Sequence, residues 1–131
     1  MNIGFIGYSA SKFDSDKAYK IIRNIFKNKI DPLDKDIKIV SGATNLGIPK
    51  IVYEIADKKN YYTIGIMCSK GFNYEMFDVN KLYVEGNEWG EESELFLDTI
   101  DILFKVGGGE QSKKELNKAK KRGIKTFEYD L

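Results

Sequence analysis

What most constrains this chain is a regular alternation along its length. Short apolar runs, each closed by a glycine- or hydroxyl-rich loop, are followed by stripes of apolar residues at three- and four-residue spacing. The apolar runs at 2–8, 37–40, 62–68 and 101–106 read as strands. Ala18, Ile21, Ile22, Ile25 and Phe26 form one helical stripe, which ends at Asp31-Pro32. Ile48, Ile51, Val52, Ile55 and Ala56 form a second, with Pro49 in the first turn, where its missing N–H costs nothing. A helix over 91–99 turns Leu95, Phe96 and Thr99 inward, and a helix over 112–122 stops at Gly123. Residues 124–129 form a more polar strand suited to a sheet edge. Residues 69–90 are the least readable: Val79, Leu82 and Val84 suggest one strand, and 72–77 a loop or short helix.

Strands alternating with helices predict an α/β fold, a Rossmann-like three-layer sandwich with a mostly parallel sheet and helices on both faces. The chain's 131 residues are one domain's length, and 42% hydrophobic content supplies a core, so residues 1–131 are expected to form a single domain. Right-handed crossovers bring the loops at 9–14, 42–47, 69–73 and 107–112 to the carboxyl edge of the sheet.

Composition restricts the chemistry available there. The chain has no histidine, which removes the commonest general base and metal ligand, and any Ser-His-Asp or Cys-His arrangement. Cys68 is the only cysteine, so no intrachain disulfide can form, and no metal site or cofactor is expected. A net charge of +1 gives no general attraction to nucleic acid or an acidic membrane. The first residues lack the basic region of a secretory signal and no apolar run can span a bilayer, so a cytoplasmic setting without membrane attachment is expected.

Carboxylates, lysines, hydroxyls and backbone dipoles remain, and three loops combine them in a way suited to an anion. Loop 42–47 carries Gly42, Thr44 and Asn45 and leads into a helix; loop 107–112 carries Gly108, Gly109, Gln111 and Ser112 and does the same. Glycine lets the backbone approach a ligand closely, and a helix's first turn offers unpaired N–H groups. Loop 9–14 adds Ser9, Ser11 and Lys12, the last a point charge for a phosphate. Gly42 and Gly47 have the spacing of a P-loop, but Ile48-Pro49 stand where Lys and Ser/Thr belong, and no G-x-G-x-x-G follows a strand. Ser112-Lys113-Lys114-Glu115 has two readings: a capping box, with Ser112 on the amide of residue 115 and Glu115 reaching back, or a carboxylate facing a ribose in the cleft.

Val40-Ser41-Gly42-Ala43-Thr44, Ile64-Gly65-Ile66 and the segment 106–116 resemble the SLOG superfamily. That group holds the LOG ("lysine decarboxylase-like") phosphoribohydrolases, the molybdenum-cofactor carrier proteins and the DNA-processing proteins. The family pattern G-G-x-G-T-x-x-E falls on residues 108–115. Gln111 stands at its third glycine and Ser112 at its threonine. The resemblance implies a Rossmann-like fold, a phosphate held by the loops at 42–47 and 108–112, a nucleotide-like small-molecule ligand and a homodimer or higher homo-oligomer. It carries the catalytic glutamate of the hydrolases onto Glu115. The arginine those enzymes also use has no counterpart, since the chain's two arginines are Arg23 and Arg122.

The resulting expectation is a binding, sensing or carrier protein for a nucleotide or related phosphoribosyl compound. The alternative is an N-glycosidic hydrolase of nucleoside monophosphates that uses Glu115. A third reading, binding of single-stranded DNA, rests on the basic residues Lys113, Lys114, Lys118, Lys120, Lys121, Arg122 and Lys125, which also suit a solvated helix. The acidic stretch from Glu88 to Asp101 balances them and is a possible oligomer contact for that face. Trp89 either stacks on a base or closes the core or a subunit interface.

Overall fold

A computed structural model describes residues 1–131. The elements run β1 (Asn2–Gly7), α1 (Ser15–Ile25), β2 (Lys38–Ser41), α2 (Gly47–Lys58), β3 (Tyr62–Met67), β4 (Lys81–Val84), α3 (Ser93–Thr99), β5 (Ile102–Val106), α4 (Glu110–Lys121) and β6 (Lys125–Tyr129). One six-stranded sheet has the order β4-β3-β2-β1-β5-β6, and every pairing in it is parallel. The expected Rossmann-like architecture is present, with β6 on an edge as its polarity suggested. No helix is long and apolar enough to cross a membrane.

The inner strands are apolar because both faces are covered. On one face Ile3, Phe5, Ile39 and Phe104 pack under α1 and α2, with Phe5 stacked between Phe26 and Phe104 at 5.6 and 5.3 Å. On the other, Ile6, Val40, Ile64 and Leu103 pack under Phe96 and Leu97 of α3 and Leu116 and Ala119 of α4. Asp14 caps α1 by accepting from the Lys17 amide at 3.1 Å, and α1 runs on through a π-helical turn at Phe26–Ile30 to a 3-10 turn at Asp31–Leu33. At the far end of α4, Gly123 and Ile124 donate to the carbonyls of Lys120 and Ala119, the paired bonds of a Schellman stop.

Three elements depart from expectation. The buried stripe of α3 is Ser93, Phe96 and Leu97, whereas Leu95 and Thr99 are only part-buried. In the 69–90 segment a 3-10 turn occupies Ser69–Asn73 and β4 starts at Lys81, leaving Val79 outside it. Helix α4 begins at Glu110, two residues early, because the turn is completed by Gly107 (φ +62°) and Gly108 (φ +114°).

The chain steps outward from β1 through β2, β3 and β4, then crosses by α3 to β5 on the other side of β1. The strand order therefore reverses between β1 and β5, and a crevice opens beyond their carboxyl ends. Gly7 and Val106 are register partners at that end.

Candidate functional site

The crevice is a cleft of about 310 Å³, the size range of small-ligand sites. Its walls come from the loop after β1 (Tyr8, Ser9, Ser11), the end of β2 and its loop (Ser41, Gly42, Ala43, Thr44), the end of β3 (Ile66, Met67), Trp89 and Glu92, and the first turns of α4 (Gly109, Gln111, Ser112, Glu115). Loops far apart in the sequence thus meet along one sheet edge.

Of the residues expected to bind a ligand, Ser9, Ser11, Gly42, Thr44, Gly109, Gln111 and Ser112 line the cleft, as does Glu115. Lys12, Asn45 and Gly108 do not. Lys12 is exposed and outside the walls. Asn45 is held by the 75–77 strap: its Nδ2 donates to Glu75 Oε2 at 2.5 Å and its amide to the Glu75 carbonyl at 2.8 Å, its Oδ1 is buried without a partner, and Thr44 bridges Met76. Gly108 sits behind the wall, where an added Cβ would lie 2.6 Å from the Ser112 Cβ and 2.7 Å from its Oγ. It supports Ser112 without facing the cleft.

The two helix N-termini at this edge are not equivalent. In α2 the Ile48 amide is taken by the Tyr8 carbonyl at 2.8 Å and Pro49 has no N–H. The cap residue Leu46 has no polar side chain, and Gly47 is not part of the cleft wall. In α4 the cap residue is Gly109, without a side chain, and the amides of Glu110, Gln111 and Ser112 meet no backbone carbonyl. All three of these residues line the cleft. The donors for an anion are therefore concentrated at α4, beside the hydroxyls of Ser9, Ser11 and Thr44.

The capping-box reading of Ser112 and Glu115 fails. Ser112 lies inside the helix, and its Oγ donates to the Gly7 carbonyl at 3.5 Å. Glu115 points away from its own helix start; its Oε2 accepts from Ser93 Oγ of α3 at 2.7 Å. Both residues are buried. Burial pushes the Glu115 carboxyl above its ordinary range, opposed by the bond from Ser93 and reinforced by the charge of Glu92, while Gln111 also lowers it.

Sequence reasoning missed Glu92 and Ser93. Glu92 is 7% exposed and lines the cleft; it accepts from the Gly90 amide at 3.2 Å and from Gln111 Nε2 at 3.0 Å. Gln111, at the place of the third glycine of the G-G-x-G-T-x-x-E pattern and one turn before Glu115 on the same helix, thus holds Glu92. Three glutamates and no lysine or arginine line the cleft.

Trp89 is 47% exposed, with Tyr74 5.9 Å away, so it forms the rim of the cleft and is no part of the core. Cys68 is fully buried, as its strand position suggested. Part of the basic end of α4 is paired within the chain: Lys118 with Glu94 at 3.2 Å, and Arg122 with Glu94 and with Asp98 at 2.6 Å. Glu94 and Asp98 thus turn to α4 of the same chain, while Lys114, Lys120, Lys121 and Lys125 form no ion pair.

No protein-family model matches the chain, and no curated protein matches it by sequence. Solved structures do match. The molybdenum cofactor binding protein of the phototrophic bacterium Rippkaea orientalis superimposes with a TM-score of 0.79 at 20% identity, covering 99% of this chain and 76% of that one. The molybdenum cofactor carrier protein of Chlamydomonas reinhardtii gives a TM-score of 0.77 at 18% identity, covering 99% and 77%. At such identities the likeness establishes the fold. That fold is a Rossmann-like α/β sandwich with a parallel sheet.

Proposed function

We propose that the cleft binds a small phosphorylated ligand, a nucleotide or related phosphoribosyl compound, and that the protein acts as a binding or carrier protein. One observation carries this reading. The three unpaired amides that open α4 (Glu110, Gln111, Ser112) face the same small cleft as the hydroxyls of Ser9, Ser11 and Thr44. Backbone and hydroxyl donors suit a phosphate, and the neighbouring carboxylates of Glu92 and Glu115 suit the hydroxyl or amino donors of the rest of the ligand. The fold shared with molybdenum cofactor carriers supports a carrier role and adds that cofactor to the ligands worth testing.

A second reading, cleavage of an N-glycosidic bond, is favoured by one feature: Glu115 faces the cleft instead of capping its helix. It comes second because no guanidinium or ammonium lines the cleft to accompany that carboxylate. The test is a thermal-shift screen against nucleoside mono-, di- and triphosphates, cyclic nucleotides and the molybdenum cofactor, with each hit examined by chromatography for free base. Stabilisation with intact ligand supports the binding reading, and base release that Glu115→Gln abolishes supports the hydrolase. No shift with any compound refutes both.

A further inference from the structure

A second depression, of about 770 Å³, lies between α1 with its π-helical extension and the end of α2. Its charge is one-sided. Lys20, Arg23, Lys27, Lys58 and Lys59 line it with a single acid, Asp31. That acid is already used: it takes Lys59 at 2.7 Å and the Tyr61 hydroxyl at 2.6 Å. Lys20, Arg23, Lys27 and Lys58 form no ion pair, whereas the chain's other arginine, Arg122, holds two carboxylates. Five cations and one acid give the groove a net +4, so within a chain of net +1 everything outside it sums to −3. This concentration is the property of a surface that attracts a partner of opposite sign.

The shape of the groove indicates which kind of anionic partner. Lys20, Arg23 and Lys27 follow one another at three and four residues along one helix face, a row about 10 Å long. The apolar residues of the groove are Ile55, buried, and Tyr19, part-buried. A row of cations at helical spacing in a depression between two helices, with the part-buried Tyr19 ring beside it, matches an amphipathic helix carrying glutamates or aspartates at i, i+3 and i+7 and an aliphatic anchor against that ring. A single-stranded nucleic acid would want successive exposed aromatic rings for its bases, and the groove has only Tyr19.

We infer that the α1–α2 groove is a docking site for an acidic amphipathic helix of a partner protein. The groove sits where α1 and α2 end, at the amino edge of the parallel sheet, and the cleft sits at the carboxyl edge. A partner seated in it leaves the mouth of the cleft open.

The test uses a labelled synthetic peptide of about four helical turns with that glutamate and leucine spacing, a scrambled peptide of the same composition, and an oligo-dT of similar charge. Fluorescence anisotropy at low and moderate salt reads affinity, and circular dichroism reads helix gained on binding. Saturable binding of the patterned peptide is expected, with helix gain, and with the scrambled peptide weaker. Arg23→Glu combined with Lys27→Glu should weaken it about tenfold or more. Lys120→Glu combined with Lys121→Glu, the same charge change on exposed residues of α4, should weaken it less than about twofold. Lys20→Gln with Lys58→Gln repeats the groove test should the charge reversal lower folding. Absence of saturable binding, equal losses in the groove and α4 variants, or tighter binding of oligo-dT through the same residues would each overturn the proposal.

Discussion

Gly108 and Gly109 are neighbours in one motif, yet the structure gives them opposite tolerances. Gly108 has φ +114°, a region closed to residues with a side chain, and its added Cβ would sit 2.6 Å from the Ser112 Cβ and 3.3 Å from the Gly7 Cα. Forcing an alanine into such a backbone state costs about 1–3 kcal/mol. Pushing Ser112 aside in a packed wall costs about 1–3 kcal/mol more. Gly109 has φ −98° and nothing within 4 Å of its added Cβ. There alanine loses a little as a helix cap and gains a little by restricting the unfolded chain, within about 1 kcal/mol either way. Gly108→Ala should therefore lower stability by roughly 2–6 kcal/mol, or about 3–5 °C of Tm per kcal/mol at this chain length. Urea unfolding of both variants, followed by circular dichroism with the slopes compared, measures the difference. If the two variants fall within about 1 kcal/mol of each other, the turn relaxes freely and Gly108 does not hold Ser112 in place.

Glu115 holds its proton more tightly in the fold than in the unfolded chain, chiefly through burial. Such an acid stabilises the fold at low pH and loses that contribution as pH climbs from the ordinary carboxylate value through the raised one, by about 1.4 kcal/mol for each tenfold in proton affinity. Glu115→Gln keeps an acceptor for Ser93 and should flatten this fall, seen as urea midpoints that change less between about pH 4.5 and 7 than in the parent. Tyr53 is fully buried and its hydroxyl donates to the Ile64 carbonyl at 2.8 Å, so Tyr53→Phe should cost about 1–2 kcal/mol in chemical unfolding without altering the cleft. Lys105 is 4% exposed on β5 and reaches only the half-exposed Glu128, at 3.4 Å. Lys105→Met should leave stability equal or raise it by about 1 kcal/mol, since the desolvated ammonium is removed while Glu128 stays in water; a clear drop would mean the ammonium has a further role.

The legible part of the fold was the part written in periodicity. β1, β2, β3 and β5 are apolar because both sides are covered, and α1 and α2 show their stripes because one side alone is buried. What escaped has long-range causes. The S-x-x-E pattern at Ser112 and Glu115 is a local signal for a cap, but Ser112 bonds to Gly7, 105 residues away, and Glu115 to Ser93 in another helix. Nothing in Glu91-Glu92-Ser93-Glu94 indicates which carboxylate turns inward; that follows from how α3 lies over the sheet, which buries Glu92 and leaves Glu91 and Glu94 exposed. Lys105 did leave a trace, a single charge inside an apolar strand, whose burial only the pairing of β5 with β6 explains. The G-G-x-G-T-x-x-E pattern pointed to Glu115 and Ser112, which line the cleft, but not to the bond of Gln111, which depends on the position of Glu92.

The electrostatics of the cleft follow from that last arrangement. A glycine at position 111 would leave Glu92 and Glu115 facing each other across open space; the glutamine instead places an amide donor between them, bonded to Glu92 at 3.0 Å. Each carboxylate has its own neutral donor, Gln111 for Glu92 and Ser93 for Glu115, which offsets part of the cost of burial. That is why the wall tolerates Glu92 and Glu115 with no arginine beside them. These carboxylates disfavour an anionic group close to them, so on the proposed reading a phosphate would take the amides of α4 and the serines of the β1 loop. Within that reading the carboxylates favour the neutral hydroxyl and amino donors of a ligand, and the unpaired amides that open α4 favour its phosphate.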